Sequence, residues 1–322
     1  MSKPTGFNEL VVSVFDIGRI RAVFESIGGW TARPLPDAPV EQYAAWHVPA
    51  ECQKITQLLL SANADGRGAL RLVKFEGVTE QVLMRPAQHT WDTGGLFDFD
   101  VYVEDMQKVY RALQRCGWTA FGVPTDYAWG GFDVCEGVMV GPDGIVVGLL
   151  KAYGKVMIDL PPIAGMSRAF NASQVVRDYD VAMDFHLNQL GWKALVDTEV
   201  IGVEEPGRNI LGIPRPLATS TRRRVGIVHP GGLNDGSIEI IEMKELDGHD
   251  YAANCVAPNV GLFSCRFPVA DIAAYRRQVV AQGVDLYSDL AALEIAPYGT
   301  VRCFSVRSPD GAILEFFGKD SG

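Results

Sequence analysis

The chain has 322 residues, of which 48% are hydrophobic and 21% charged, and its formal net charge at pH 7 is −10. This composition excludes the disordered and fibrous classes, and the length allows two domains with a substantial core. The negative charge disfavours non-specific binding to nucleic acid or to an anionic membrane surface. No apolar run approaches the roughly 20 residues of a bilayer-spanning helix. We therefore expect neither nucleic acid nor a membrane as a partner.

The cysteines and the first residues bear on cellular location. The six cysteines are scattered and form no C-x-x-C pair, so neither a zinc knuckle nor a disulfide framework is indicated. The first nine residues lack the apolar core of a signal peptide. We therefore expect reduced thiols and a cytoplasmic location.

A strand, a helix and further strands are predicted in the first part of the chain. Ile20, Val23, Phe24 and Ile27 have helical spacing, and Gly28-Gly29 is a typical helix end. The predicted elements of this first unit are a strand over 7–16, a helix over 17–28, and strands over 46–48, 55–60 and 69–75.

The same pattern recurs three more times. Gly-Leu-Phe opens the second and fourth units, and Gly117 and Gly283 each lie 12 residues after the aspartates Asp105 and Asp271. The first and third units match through Asp-to-Trp spacings of 14 residues, from 16 to 30 and from 178 to 192. Repeats of this regularity define the architecture of a fold. The sequence predicts an α+β protein of four βαβββ units in two halves, 1–150 and 168–322, joined by a linker over 151–167.

The fourth unit closes with a hairpin that carries a carboxylate. Strands are predicted over 301–307 and 312–317, with a turn at Ser308-Pro-Asp-Gly311. Glu315 lies in the middle of the apolar second strand, where an unpaired carboxylate is costly to desolvate. Glu315 is therefore a candidate functional residue.

At this point the chain resembles the vicinal oxygen chelate superfamily, which includes glyoxalase I, bleomycin-resistance proteins and extradiol dioxygenases. The resemblance spans nearly the whole chain and is carried most specifically by the segment from Tyr298 to Glu315 and by the segment from Val176 to Gly191. It implies that two βαβββ units pair into a curved, cup-like sheet with the ligand inside. Applied to each half, it implies that unit one pairs with unit two, and unit three with unit four.

The resemblance also implies where a divalent metal would be held, namely by the first and last strands of each unit. None of the corresponding eight positions is a histidine: they are Glu9, Asp98, Asn171 and Ser264 on the first strands, and Arg71, Gly148, Glu239 and Glu315 on the last. Non-haem Fe(II) and zinc sites favour histidine. We therefore expect no cofactor, with an oxygen-ligated Mg²⁺ or Mn²⁺ as a weak alternative. In the cup expected for the first half, Glu9 and Asp98 would lie near Arg71. This arrangement favours a salt bridge over a metal site.

Strand alternation predicts which side chains line the cups. We predict Glu315 and Glu239 as a catalytic acid/base pair, in which one carboxyl group is protonated and the other is ionised. The predicted substrate-binding residues are Asn171, Ser264, Arg266, Asp98 and Tyr102. The alternative is that these polar side chains are solvated or pair with one another. Two further segments remain open: Arg222 to Arg224, a solvated turn or an anion-binding rim, and the aromatic loop 126–132, a candidate lid.

Three functions follow as hypotheses. The first is a metal-independent or weakly metal-dependent lyase or isomerase that acts on an oxygenated cyclic or aromatic metabolite. The second is a non-catalytic protein that sequesters a small molecule, as in the bleomycin-resistance branch. The third is a metal-dependent glyoxalase or ring-cleaving dioxygenase, which the lack of histidine at the ligand positions disfavours. A small molecule is the expected partner in each case, and a homodimer is a further expectation.

Overall fold

The computed structural model describes residues 3–64, 66–86, 88–129, 131–154, 156, 158–202 and 207–319. All four units are present, and the first helix of each begins after an aspartate whose carboxylate accepts from backbone N–H groups of the first turn. Such a side chain satisfies donors that the helix itself cannot. These N-caps are Asp16, Asp105, Asp178 and Asp271.

Units one and two occupy the first half of the chain. The elements of unit one are β1 (Glu9–Ser13), α1 (Ile17–Val23) with a π-helical turn (Phe24–Gly28), β2 (Thr31–Leu35), α2 (Val40–Ala45), β3 (Lys54–Ser61) and β4 (Ala69–Glu76). Those of unit two are β5 (Phe99–Tyr102), α3 (Met106–Arg115), β6 (Thr119–Ala120), β7 (Thr125–Trp129), β8 (Phe132–Val140) and, after a 3₁₀ turn (Pro142–Gly144), β9 (Val146–Ala152).

Units three and four repeat the order. The elements of unit three are β10 (Asn171–Val175), α4 (Tyr179–Asp184) with a π-helical turn (Phe185–Gln189), β11 (Lys193–Ile201), α5 (Arg215–Ala218), β12 (Arg222–His229) and β13 (Ser237–Met243). Those of unit four follow a 3₁₀ turn (Ala252–Asn254) and are β14 (Gly261–Pro268), α6 (Ile272–Ala281), β15 (Leu286–Ile295), β16 (Gly299–Arg307) and β17 (Ile313–Gly318).

Three local predictions differ from the structure. The segment Arg222 to Arg224, predicted as a turn, begins strand β12, because its backbone pairs with β11. The strand expected over 46–48 is replaced by α2 and a turn, because the indole of Trp46 folds inward and is 1% exposed. The loop proposed as a lid over 126–132 is largely a hairpin, in which β7 pairs with β8; Gly130 within it lies outside the described residues. The hairpin extends the sheet, so every second side chain of the hairpin lies on one face of that sheet.

The strands form two large curved sheets, neither of which is closed. Their orders are β15-β16-β17-β14-β1-β4-β3-β2 and β11-β12-β13-β10-β5-β9-β8-β6, with β7 added on β8. The first sheet joins units one and four through antiparallel β1 and β14, and the second joins units two and three through antiparallel β5 and β10.

The pairing expected from the two halves is therefore wrong: unit one pairs with unit four, and unit two with unit three. The register supplies a physical reason. Glu9 lies opposite Arg266 in the β1–β14 pair, and the two side chains form an ion pair with 2.7 Å between Arg266 Nη1 and Glu9 Oε1. The residue of unit two at the position of Arg266, five before the helix-capping aspartate, is Asp100. Pairing β1 with β5 would set two carboxylates against each other.

The helix-bearing faces of both sheets share one hydrophobic core. The ring of Phe24, after α1, stacks on Phe99 of β5 with centroids 6.2 Å apart, so unit one packs on unit two although their strands lie in different sheets. Trp192 of unit three contacts Phe267 of unit four in the same way, at 5.0 Å. The opposite faces of the sheets line two cups. No helix in the described ranges is long and apolar enough to cross a bilayer.

Candidate functional site

The cup of units one and four is sealed by four ionised side chains. Arg71 binds Glu9 through two hydrogen bonds, of 2.7 Å from Nε and 3.1 Å from Nη2. Arg266 bridges Glu9 and Glu315, at 2.7 Å and 3.2 Å. None of the four is more than 2% exposed. Two carboxylates and two guanidinium groups balance in charge, which is the condition for burying ions in a protein interior.

Neutral groups complete this network. Ser264 donates to Glu315, as does the Trp46 indole at 3.2 Å, and the Tyr298 hydroxyl donates to Glu9 at 3.1 Å. Burial raises the pKa of Glu9, but the charges and hydrogen bonds of Arg71 and Arg266 outweigh it and hold that pKa below its ordinary value. Apolar side chains fill the rest of the cup: Val11, Trp46, Phe75, Phe263 and Ile313.

This cup does not fit a divalent metal. Two of the positions that the family resemblance assigns to ligands carry Glu9 and Glu315, and both already bind arginine. A third is Arg71, a cation. The predicted Glu9–Arg71 salt bridge is confirmed. Asp98, expected beside it, lies in the other cup.

The cup of units two and three gathers four carboxyl groups instead. Asp98 and Asp100 lie at the start of β5, Glu136 on β8 and Glu239 on β13, all on the cup face. Asp98 is 6% exposed, and the other three are half-buried. Arg223 of β12 lies on the same face as Val225 and Ile227, because every second residue of a strand points to the same side.

Burial raises the pKa of every one of these acids, and the charges of neighbouring acids raise it further in Asp100, Glu136 and Glu239. Burial, with the charges of Glu136 and Asp98, raises the pKa of Glu239 to about 8. Burial raises the pKa of Glu136 to about 7 and that of Asp98 to about 6. Burial and the three neighbouring acids raise the pKa of Asp100 well above its ordinary value. Near neutral pH the cup therefore holds both protonated and ionised carboxyl groups.

Local contacts orient some of these groups and leave others free. Ser173 donates to Asp98, and the Tyr127 hydroxyl donates to Glu136. Within the described ranges, no hydrogen bond reaches the carboxyl groups of Asp100 and Glu239. The Asp100 carboxylate occupies the space above Gly148, where a Cβ would overlap its Oδ1.

Apolar walls flank the carboxyl groups on both sides. On one side Tyr102 stacks on Phe170, with ring centroids 4.5 Å apart, beside Val134 and Leu150. On the other side lie Val138, Val146, Val175, Val225 and Ile241, together with Leu211 and Ile213. Tyr102, a predicted substrate-binding residue, is 2% exposed and forms part of a wall.

This cup offers a divalent metal suitable kinds of donor atom but not a suitable arrangement of them. Carboxylate and amide oxygens are suitable in kind for Mg²⁺ or Mn²⁺. Their positions are not suitable, because no three His, Cys, Asp or Glu side chains in the described part of the chain converge as metal ligands. Asp98 and Glu136 instead accept hydrogen bonds from Ser173 and Tyr127.

The structure divides the predicted site residues between the two cups. Asp98, Tyr102, Asn171 and Glu239 lie in the cup of units two and three, and Ser264, Arg266 and Glu315 in the cup of units one and four. The predicted pairing of Glu315 with Glu239 is wrong, because the two belong to different sheets.

Sequence reasoning also missed three side chains of the second cup, namely Tyr127, Glu136 and Arg223. Alternation from Val138 back along β8 would have placed Glu136 on the cup face. Tyr127 falls in a predicted loop and Arg223 in a predicted turn, where alternation does not apply. The neighbours of Arg223 do pair at the surface, Arg222 with Glu245 and Arg224 with Asp180.

Four βαβββ units, joined in pairs through their first strands into two open curved sheets, are the arrangement of the vicinal oxygen chelate superfamily, and the chain has that fold. It is similar over its length to glyoxalase I from Zea mays, with a TM-score of 0.63, 13% sequence identity, and coverage of 97% of this chain and 92% of that one. A putative dioxygenase from Bacillus subtilis is also similar, with a TM-score of 0.58, 11% identity and coverage of 100% and 87%. No protein-family model and no curated protein sequence matches the chain. At these identities the likeness extends to the fold alone.

Proposed function

We propose that the chain is a metal-independent lyase or isomerase of the vicinal oxygen chelate type, and that its active cup is the one formed by units two and three. One observation carries the proposal. Glu239 and Glu136 share a half-open cup, and their pKa values of about 8 and about 7 lie on either side of neutral pH. A carboxyl pair of this kind supplies a proton donor and a proton acceptor in one site.

The contacts suggest a division of roles. Glu239, which holds its proton most tightly of the three acids with a pKa near neutrality, acts as the general acid. Glu136, oriented by Tyr127, acts as the base. Arg223, whose charge lowers the pKa of both acids, stabilises negative charge that develops on the substrate. In the proposed acid/base pair, Glu136 therefore takes the place that the sequence analysis gave to Glu315.

The walls support a substrate with a cyclic or aromatic body. The stacked rings of Tyr102 and Phe170 and the aliphatic cluster around Val138 and Ile241 would cover the two faces of such a molecule. Asn171 and Asp98 keep their predicted role of orienting it. Ser264 and Arg266 are assigned to the structural network of the other cup.

A binding protein that sequesters the same kind of molecule is the second candidate. The observation that favours it is the extent of apolar surface on both sides of the carboxyl groups, which provides affinity without chemistry. In that case the ligand would be released unchanged.

The test is turnover of a mixture of small metabolites, followed by mass spectrometry. The wild type would be compared with Glu239→Gln, Glu136→Gln and a control, Glu104→Gln, which changes an exposed acid just after β5. We expect each cup variant to lose about a hundredfold or more in rate, the usual contribution of a general acid or base, and the control to keep full activity. Equal turnover in Glu239→Gln would contradict the proposal. A bound but unconverted ligand would establish the binding protein.

A further inference from the structure

The two cups of this protein differ in where their positive charge comes from. In the cup of units one and four, Arg71 and Arg266 supply it, and each binds a carboxylate directly. The positions equivalent to Arg266 in units two and three carry Asp100 and Ser173, and those equivalent to Arg71 carry Gly148 and Glu239. The same fold thus keeps the acids in the second cup but has no cation at these positions.

The arginines near the second cup do not make up for this loss. Arg223 donates to the Gly202 carbonyl at 3.0 Å, and Arg85 donates to the Gly94 and Asp92 carbonyls at 2.8 Å and 2.6 Å. Within the described residues, neither arginine forms an ion pair with Asp98, Asp100, Glu136 or Glu239. In the part of the chain that the structure describes, the four acids therefore outnumber the cations near the cup and are paired with none of them, while Arg223 Nε is itself buried without a hydrogen-bond partner.

Asn171 is a separate sign of a missing donor. It lies opposite Asp100 in the β5–β10 pair and is 2% exposed. Its Nδ2 donates to Ser237 at 2.7 Å on the neighbouring strand β13, which fixes the amide. Its Oδ1 has no hydrogen-bond partner. A buried acceptor without a donor is costly, so a bound group that donates here would gain free energy.

We infer that the ligand of this cup carries a cationic nitrogen, an ammonium or an amidinium, that binds among Asp98, Asp100, Glu239 and the Asn171 amide oxygen. The inference rests on the proposed site and names the class of molecule that it takes. A protonated amine carries both a positive charge, which would pair with the carboxyl groups, and N–H donors, which would reach the Asn171 amide oxygen. The rings of Tyr102, Phe170 and Tyr127 suit an aromatic or cyclic body beside it.

The experiment uses the full chain and three probes of nearly the same shape, namely benzylammonium, benzyl alcohol and benzoate, titrated by calorimetry and by NMR at pH 7. We expect benzylammonium to bind at least about tenfold more tightly than either of the other two. Asp100→Asn should weaken that binding several-fold, and Glu239→Gln, at a second residue of the proposed site, should do the same. Glu104→Gln, which changes an exposed acid just after β5, should bind as the wild type does. Circular dichroism of each variant checks its fold.

Three outcomes would overturn the inference. The first is equal or tighter binding of benzyl alcohol or benzoate, and the second is no effect of Asp100→Asn and Glu239→Gln. The third is stoichiometric binding of Mg²⁺ or Mn²⁺, titrated alone, with no binding of benzylammonium. The result is independent of turnover. Binding of benzylammonium, together with no turnover of the metabolite mixture, would support this inference and contradict the enzyme. Turnover of a neutral substrate that depends on Glu136 and Glu239, without binding of benzylammonium, would do the reverse.

Discussion

Glu239 and Glu315 occupy equivalent positions on the last strands of units three and four, yet their surroundings are opposite. Glu315 is 2% exposed and bound by Arg266, Ser264 and Trp46. Glu239 is half-buried among other carboxyl groups, and its burial, with their charges, raises its pKa. The four units thus share one plan, but one pair has a sealed, charge-balanced cup and the other a half-open acidic one. The predictions below follow from this difference.

The stability of the protein should depend on the charge of Glu239. Its pKa is raised from 4.5 to about 8 in the folded state, so the folded protein retains a proton that the unfolded chain releases. Its contribution to stability is therefore complete below pH 4.5 and is lost as the pH rises to about 8. Glu239→Gln, which has no charge to bury, should be more stable than the wild type at pH 9 by roughly 1–3 kcal/mol, and similar to it at pH 4.

Urea unfolding of both proteins at pH 4, 7 and 9 measures this difference. Glu104→Gln, an exposed acid, should show no pH-dependent gain. A Glu239→Gln protein that is less stable than the wild type at pH 9 would show that Glu239 is paired with a cation.

Tyr127 should set the protonation of Glu136. The hydrogen bond from its hydroxyl stabilises the ionised carboxylate and lowers a pKa that burial has raised to about 7. Tyr127→Phe removes this donor and should raise the pKa of Glu136 further. Carbon-detected NMR titration of the glutamate carboxyls measures the change, and the acid limb of any pH–rate profile should move in the same direction. An unchanged pKa would mean that the hydrogen bond is absent in solution.

The network of the sealed cup should be essential for stability. Arg266→Met would leave Glu9 and Glu315 with one guanidinium between them in the interior, and should cost about 3–5 kcal/mol of unfolding free energy. As a control, Arg21→Met breaks an exposed i,i+4 pair with Glu25 and should cost no more than about 0.5 kcal/mol. Chemical denaturation distinguishes the two. Similar losses in both variants would argue against the network.

Gly148 should be needed for the shape of the acidic cup. A Cβ at this position would overlap Asp100 Oδ1, so Gly148→Ala should displace that carboxylate and weaken ligand binding. Because only a side-chain end has to move, the loss of stability should stay below about 1–2 kcal/mol. Gly154→Ala is the matched control, since nothing lies within 4 Å of its added Cβ. Unchanged binding in Gly148→Ala, measured with the probe that binds the wild type, would place the ligand away from Asp100.

The sequence by itself determined the units and their local features. The repeated aspartates predicted where four helices begin, and each of them is an N-cap in the structure. The Pro-Asp-Gly turn before β17 and the face of Glu315 also followed from local rules, because turn chemistry and strand alternation depend on residues close in the chain. The Glu9–Arg71 pair followed as well, since both belong to one unit.

Only the tertiary structure decided which units share a sheet, and therefore which charged side chains lie in the same cup. All four first strands have the same alternation, so periodicity does not select a partner. The choice depends on contacts between residues far apart in sequence, such as Glu9 with Arg266, 257 residues later, or Ser173 with Asp98. That pairing placed Glu9 against Arg266 and left Glu239 facing Glu136 and Asp100. Strand pairing is non-local, whereas the period of a strand is local, and the candidate site depends on the pairing.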